Sequence, residues 1–155
     1  MAENQGSLQE QALGSVLREV ARVARPDVPI MYRDVAFDVE AIQAGWPDFE
    51  TRFDSRRGRR MMAVVYPEDA VYRLATAMRD DDDPDALGLE MGALPGGAYL
   101  QLRLVGEPPR VYRDIGPAFD ELHYMGEHDP SRPSIEIYVA HGEVECLLPV
   151  RADVS

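Results

Sequence analysis

The chain has 155 residues, enough for one domain that buries roughly 70% of the surface its unfolded form would expose. Its 28 acidic and 16 basic residues leave a formal charge of −12, a field that disfavours direct contact with nucleic acid. Hydrophobic content of 45% excludes general disorder, the single cysteine excludes an internal disulfide, and no apolar run is long enough to cross a membrane. The cytoplasm is the expected compartment, and Cys146 alternates with Val144, Leu148 and Val150 as a small core residue.

In chain order, Ser7-Leu8-Gln9-Glu10 has the spacing of a capping box, and Leu13, Val16, Leu17, Val20 and Ala24 follow as an apolar helical stripe ended by Pro26. This spacing predicts a helix from about Leu8 to Arg25, with residues 1–29 forming an N-terminal helix and linker. A strand near Ile30 to Val35 comes next. A helical stretch from Asp38 to Phe53 carries Val39, Ile42, Trp46, Phe49 and Phe53 at three-to-four-residue spacing, with Pro47 as a kink or restart. The basic turn Arg56-Arg57-Gly58-Arg59-Arg60 leads to strands at Met61–Tyr66 and Val71–Met78, joined by Pro67-Glu68-Asp69. The order over residues 30–79 is βαββ.

Asp80 to Asp85 reads as an exposed acidic connector that cannot pack. After Leu94-Pro95-Gly96-Gly97, Ala98, Leu100, Leu102 and Leu104 alternate as a strand. Pro108 and Pro109 suit a helix start, and the segment to Met125 is helical with a break expected at Gly116-Pro117. Ser134–Val139 and Glu143–Val150 close the chain as a hairpin. Residues 97–150 thus repeat βαββ, and an offset of 72 residues pairs Ala63–Tyr66 with Ile135–Tyr138 and Ile30–Arg33 with Leu102–Val105.

The chemistry centres on Glu136, a carboxylate inside an apolar strand. Alternation places Ile135, Ile137 and Val139 on one face and Glu136 with Tyr138 on the other. If Leu100, Leu102 and Leu104 share the helix-covered face with Ile135 and Ile137, then Tyr99, Gln101 and Arg103 join Glu136 and Tyr138 opposite the helices. Tyr66 enters the same group through the repeat, and Trp46 reaches the cleft from its rim. Aromatic walls around a carboxylate favour cationic aromatic ligands. The bland alternative is that Glu136 pairs with Arg103 across neighbouring strands.

The runs Leu94-Pro95-Gly96-Gly97-Ala98-Tyr99, Arg103-Leu104-Val105-Gly106-Glu107, Gly116-Pro117-Ala118-Phe119-Asp120-Glu121-Leu122 and Pro133-Ser134-Ile135-Glu136-Ile137-Tyr138 to Leu148-Pro149-Val150 resemble the GyrI-like domain. That domain is a small-molecule effector-binding module found alone and behind MerR-type and AraC-type DNA-binding domains. The resemblance spans about Ile30 to Val150 and implies an α+β, stand-alone effector-binding domain over residues 30–155. Its expected architecture is two pseudo-symmetric βαββ modules (about 30–79 and 97–150) forming a curved antiparallel sheet with helices on one face. The resemblance also matches Glu136 to the family's buried acid. It implies either binding of a lipophilic, aromatic or cationic molecule between the halves, for sensing or sequestration, or hydrolysis of cyclopropane-type DNA-alkylating compounds.

For hydrolysis, Glu136 orients or deprotonates water while a tyrosine stabilises the developing oxyanion. Tyr112 is taken as that partner, with Tyr99 and Tyr138 as alternatives. The third reading is an accessory factor that binds a protein through its acidic surface. No cofactor is expected: His123, His128 and His141 lack ligand spacing, so no metal is assigned, and no phosphate loop or nucleophile elbow is present. The expected partner is a small molecule, without direct nucleic-acid contact and without a membrane, and a homodimer or protein partner is the remaining class.

Overall fold

The computed structural model describes residues 17–66 and 68–151. Its elements are strands β1 (Leu17–Arg25) and β2 (Val28–Ala36), helix α1 (Val39–Glu50), strands β3 (Met61–Val65) and β4 (Val71–Ala77), and a one-turn helix α2 (Pro84–Leu87). There follow strands β5 (Glu90–Leu94) and β6 (Gly97–Val105), helices α3 (Arg110–Arg113) and α4 (Ile115–Met125), and strands β7 (Ser134–Ala140) and β8 (Glu143–Pro149). All pairings in the sheet are antiparallel, and its order is β1-β6-β8-β7-β3-β4-β2-β5. The architecture is a curved eight-stranded sheet with a few helices, an α+β fold.

The first correction concerns the N-terminal segment. Leu17–Arg25 is an edge strand with a nine-residue register against β6, not the end of a helix, while residues 8–16 of the expected helix lie outside the described region. Val20 packs into the core on one face of the sheet and Val23 into the core on the other. Among the described side chains of this strand these two valines face opposite sides of the sheet, so the apolar pattern shows no clean period of two, and a non-local pairing overrides a local helical stripe.

The Asp38 side chain caps α1 by accepting from the Ala41 amide at 2.7 Å, and α1 ends at Glu50 rather than Phe53. The second helical segment breaks at Asp114, between α3 and α4, so Gly116-Pro117 falls in the first turn of α4, where proline's missing donor is tolerated. The acidic run also departs from expectation. Asp83 caps α2, and Asp82 is half-buried against the chain, bidentate to Arg59 at 2.6 and 3.0 Å. An aspartate run packs where one member meets a guanidinium that needs a partner.

Both sheet faces are buried over the central strands. On the helix-covered face, Leu100, Leu102, Leu104, Val144, Cys146 and Leu148 pack against Val111, Ala118 and Leu122 of α3 and α4. Beside them, Met31, Met61, Ala63, Tyr72 and Leu74 pack with Phe49 of α1. The opposite face holds Ile30, Met62, Val64, Tyr99, Ile135, Ile137 and Leu147.

Register then fixes the face of every site residue. Glu136 lies between Ala63 on β3 and Cys146 on β8, and Cys146 in turn lies beside Leu102. Glu136 and Tyr138 therefore sit on the helix-covered face, together with Leu100, Leu102 and Leu104, whereas Ile135 and Ile137 belong to the other. The three leucines lie on the face expected of them, whereas Glu136 and Tyr138 exchange faces with Ile135 and Ile137 relative to the expectation. The 72-residue offset is one residue out of phase here. It matches Glu136 with Val64, whose side chain lies on the opposite face, and a one-residue slip exchanges faces along a whole strand.

Candidate functional site

The site is built where the two helix-side cores meet. Tyr138 packs against both of them. Trp46 from α1 approaches its ring edge-on at 5.5 Å, and Tyr112 from α3 approaches it at 6.2 Å. Trp46 also contacts Tyr72 at 6.5 Å, and Phe37 contacts Tyr72 at 6.0 Å. Helices from opposite halves of the chain thus supply aromatic walls to one strand residue.

Beneath that ring lies the Glu136 carboxyl. Its Oε1 accepts from Tyr138 Oη at 2.6 Å and from Tyr72 Oη at 3.3 Å, while Oε2 has no protein donor among the described residues. No described basic side chain forms an ion pair with it. Burial pushes the Glu136 carboxyl above its ordinary value, and the two tyrosine hydroxyls pull it partly back. Both phenols are pushed up as well, first by burial and then by the carboxylate charge. The buried Cys146 thiol is raised for the same two reasons and is no ready nucleophile.

A cleft of about 790 Å³ opens over this constellation. One part of its wall is Trp46, Met61, Tyr112, Tyr138 and Val139. The other part is polar, with Gln43, Glu50, Arg56, Arg59 and His141. Glu136 sits one layer behind Tyr138 rather than in the wall itself. The size suits a drug-sized molecule, and the mixture of flat apolar area with a few polar groups is that of ligand pockets in general.

Of the residues singled out from sequence, Glu136, Tyr138, Trp46 and Tyr112 are brought together. Tyr99, Gln101, Arg103 and Tyr66 are not: they lie on the opposite face of the sheet, and their expected placement beside Glu136 is corrected by the register. Tyr99 is fully buried there, donating to the Pro95 carbonyl at 2.5 Å and stacked under Arg132 at 4.9 Å. Arg103 binds Glu143 at 2.8 Å and Glu19 at 3.5 Å, so the expected alternative of a Glu136–Arg103 pair does not form. Gln101 stands between Ala21 and Leu147. Tyr66 borders a separate hollow of about 340 Å³ at the end of the β3–β4 hairpin, with Asp34 and Arg73.

Tyr72, the second donor to Glu136, escaped the sequence reading. It lies on β4, two strands from β7, and no local spacing links the two residues.

No family model and no curated protein matches the sequence. Solved structures do share its fold. An integron cassette protein from the mobile metagenome of Vibrio cholerae aligns with a TM-score of 0.66 at 14% identity, over 88% of this chain and 99% of that one. The structure of SAV2435 bound to tetraphenylphosphonium aligns with a TM-score of 0.58 at 15% identity, over 86% of this chain and 94% of that one. A hydrolase from Listeria innocua aligns with a TM-score of 0.53 at 13% identity, over 92% of this chain and 97% of that one. The chain has the GyrI-like fold. Among the described residues, no helix is long and apolar enough to cross a membrane.

Proposed function

We propose that the chain binds a lipophilic aromatic cation in the cleft between α1 and α3, with the half-buried Glu136 as the counter-charge. The observation that carries this reading is the carboxyl itself, held by two phenols, enclosed by aromatic rings and lacking a basic partner among the described residues. A charge left in that state is costly unless something completes it, and a cation stacked on Trp46, Tyr112 and Tyr138 does so. The neighbour that holds tetraphenylphosphonium supports this choice of ligand class. Sensing or sequestration is the corresponding role.

The strand order supports division into two βαββ units, about residues 30–79 and 97–150. Exchanging β1–β4 with β5–β8 in that order returns the same order reversed. In this reading the cleft lies at the junction between pseudo-symmetric halves, and each edge strand, β1 or β5, pairs with the other unit.

The test uses tetraphenylphosphonium and the fluorescence of Trp46, the chain's single tryptophan. Saturable quenching that weakens about tenfold or more in Glu136→Gln supports the proposal, since a tenfold change is about 1.4 kcal/mol. Binding of equal strength in both proteins would remove Glu136 from the role.

A second reading is hydrolysis of a strained electrophile. The open Oε2 of Glu136 beside the Tyr138 and Tyr72 hydroxyls favours it, and so does the Listeria innocua neighbour. Product formation from a cyclopropane-type compound, abolished by Glu136→Gln, would establish it, and saturable binding without product would exclude it for that compound.

A further inference from the structure

Outside the cleft wall, two imidazoles meet at the C-terminal end of α4. His123 stands in the last turn of that helix, and His128 stands in the loop that leads to β7. Their rings touch edge to face, with centroids 4.8 Å apart and planes at 77°. His123 is exposed and His128 is half-buried, with its Nε2 atom buried and without a partner among the described residues. A neutral ring tolerates that arrangement, since one of its nitrogens carries no proton. An imidazolium does not, because both nitrogens are then donors and one of them is sealed away from any acceptor.

Backbone bonds fasten the same loop to the end of β8. His128 forms a bridge with Val150, the Asp129 amide donates to the Pro149 carbonyl at 3.0 Å, and the Arg151 amide donates to the Glu127 carbonyl at 2.9 Å. Arg22 of β1 donates to the Arg151 carbonyl at 2.9 Å. The end of α4, the end of β8 and the edge strand β1 thus converge on one short stretch of chain.

The surroundings oppose a charge on His128. Burial acts first and the His123 ring from α4 second, and Arg151 after β8 acts the same way, while Asp129 in its own loop opposes them. Asp129 is already engaged: the Ser131 amide and hydroxyl donate to its Oδ1 at 3.1 and 2.6 Å, and Arg132 donates to its Oδ2 at 3.2 Å. The ring is therefore held below its ordinary value of 6.5. Its contribution to stability is complete above 6.5 and is lost as the pH falls from there toward the lowered folded-state value.

We propose that the His123–His128 ring pair is an acid-operated latch, which holds the α4–β7 loop against the end of β8 while both imidazoles are neutral and lets that loop open locally when His128 gains a proton. In the opened loop both rings are hydrated and charged, so acid shifts the balance toward it while the central sheet stays folded. The latch is independent of what the cleft binds.

The test follows the three histidines of the full chain by proton NMR, with His128 assigned through His128→Phe. His128 is expected to titrate below 6.5. Hydrogen exchange of the Asp129 and Arg151 amides, corrected for the intrinsic effect of pH, is expected to speed up about threefold or more between about pH 7.5 and pH 5.5, while amides of β6 and β7 keep their protection. In His128→Phe the corrected exchange of both amides is expected to be the same across that range. His123→Ala keeps the titrating ring but removes the ring that faces it, and there the acceleration is expected to fall below about twofold. A His128 midpoint at or above 6.5, or wild-type exchange that ignores pH, would overturn the latch, and these two measurements decide it even if His128→Phe does not fold. Equal acid sensitivity in His128→Phe would overturn the assignment to His128, and equal sensitivity in His123→Ala would remove His123 from the pair.

Discussion

Tyr138 and Glu136 stand two residues apart on β7, and the Tyr138 hydroxyl donates to Glu136 Oε1 across 2.6 Å. Two residues along a strand is one step on the same face, so the pair is a local consequence of the pleat. What surrounds it is not local. Trp46 and Tyr112 come from helices in different halves of the chain, and Tyr72 comes from β4.

Glu136→Gln should make the folded protein more stable at neutral pH. The carboxyl's folded-state value is raised above the ordinary 4.5, so the native state holds this proton more tightly than the unfolded chain does. The group's stabilising contribution is complete below 4.5 and is lost as the pH rises through the raised folded-state value. Melting temperatures measured across pH 4 to 8 should therefore fall less steeply in Glu136→Gln than in the wild type. Parallel curves would show that Glu136 titrates as an ordinary surface acid.

Tyr138→Phe removes the shorter of the two bonds to Glu136 and leaves the ring in place. A hydrogen bond to a charged partner contributes about 1.5–3 kcal/mol, and denaturant unfolding should show a loss in that range at neutral pH. Because that bond pulls the carboxyl's value down, the variant should also move the Glu136 titration to higher pH. The pH below which affinity for tetraphenylphosphonium falls off should move upward in the variant, and a fall-off at the same pH in both proteins would argue against a charge-based role for the acid.

Arg59→Met should cost about 1–3 kcal/mol, because it leaves the half-buried Asp82 carboxylate with the Arg79 amide as its remaining donor. Adding Asp82→Leu should recover most of that loss, since replacing both members of a buried pair with apolar groups is often neutral. Urea midpoints of the single and double variants provide the comparison. A double variant no better than the single would mean that Arg59 acts mainly through its contact with Phe53.

Asp129 is held down to about 2 by hydrogen bonds from Ser131 and by the Arg132 guanidinium. Its contribution is present above the ordinary 3.8 and is lost as the pH falls toward about 2. Solvent screening limits the effect to about 1 kcal/mol. The stability gap between wild type and Asp129→Ala, measured by urea unfolding at pH 6 and at pH 2.5, should narrow at the lower pH. A gap of constant size would assign the effect to packing.

The sequence marks Glu136 as unusual because an acid interrupts Ile135 and Ile137, and that signal is real: it needs only the period of the strand. The face on which it falls is not legible in the same way. Alternation reveals a face when one side is wet, but here Met61 to Val64 are all buried and both sides of β7 are covered. The apolar pattern then reads the same in either phase, and the repeat, aligned one residue out, chose the wrong one. The repeat brings only Tyr66 into the expected site; Tyr99, Gln101 and Arg103 enter it because Leu100, Leu102 and Leu104 are expected to share a face with Ile135 and Ile137, whereas the register sets those leucines beside Glu136. Tyr72 and Arg59 are fixed by long-range pairing, β3 with β4 and Arg59 with Asp82, and no short window contains both partners. The β1 segment fails for a related reason, since its stripe satisfies a helix locally and only the edge of β6 makes it a strand.

The most direct measurement is the titration of the Glu136 side-chain carboxyl by carbon NMR, assigned through Glu136→Gln, with and without tetraphenylphosphonium. Without the cation, the carboxyl is expected to titrate above the ordinary glutamate value of 4.5, and saturating cation should shift it to lower pH, as a positive charge beside the carboxylate requires. A midpoint at the ordinary value, or one that the bound cation leaves unmoved, would contradict the account.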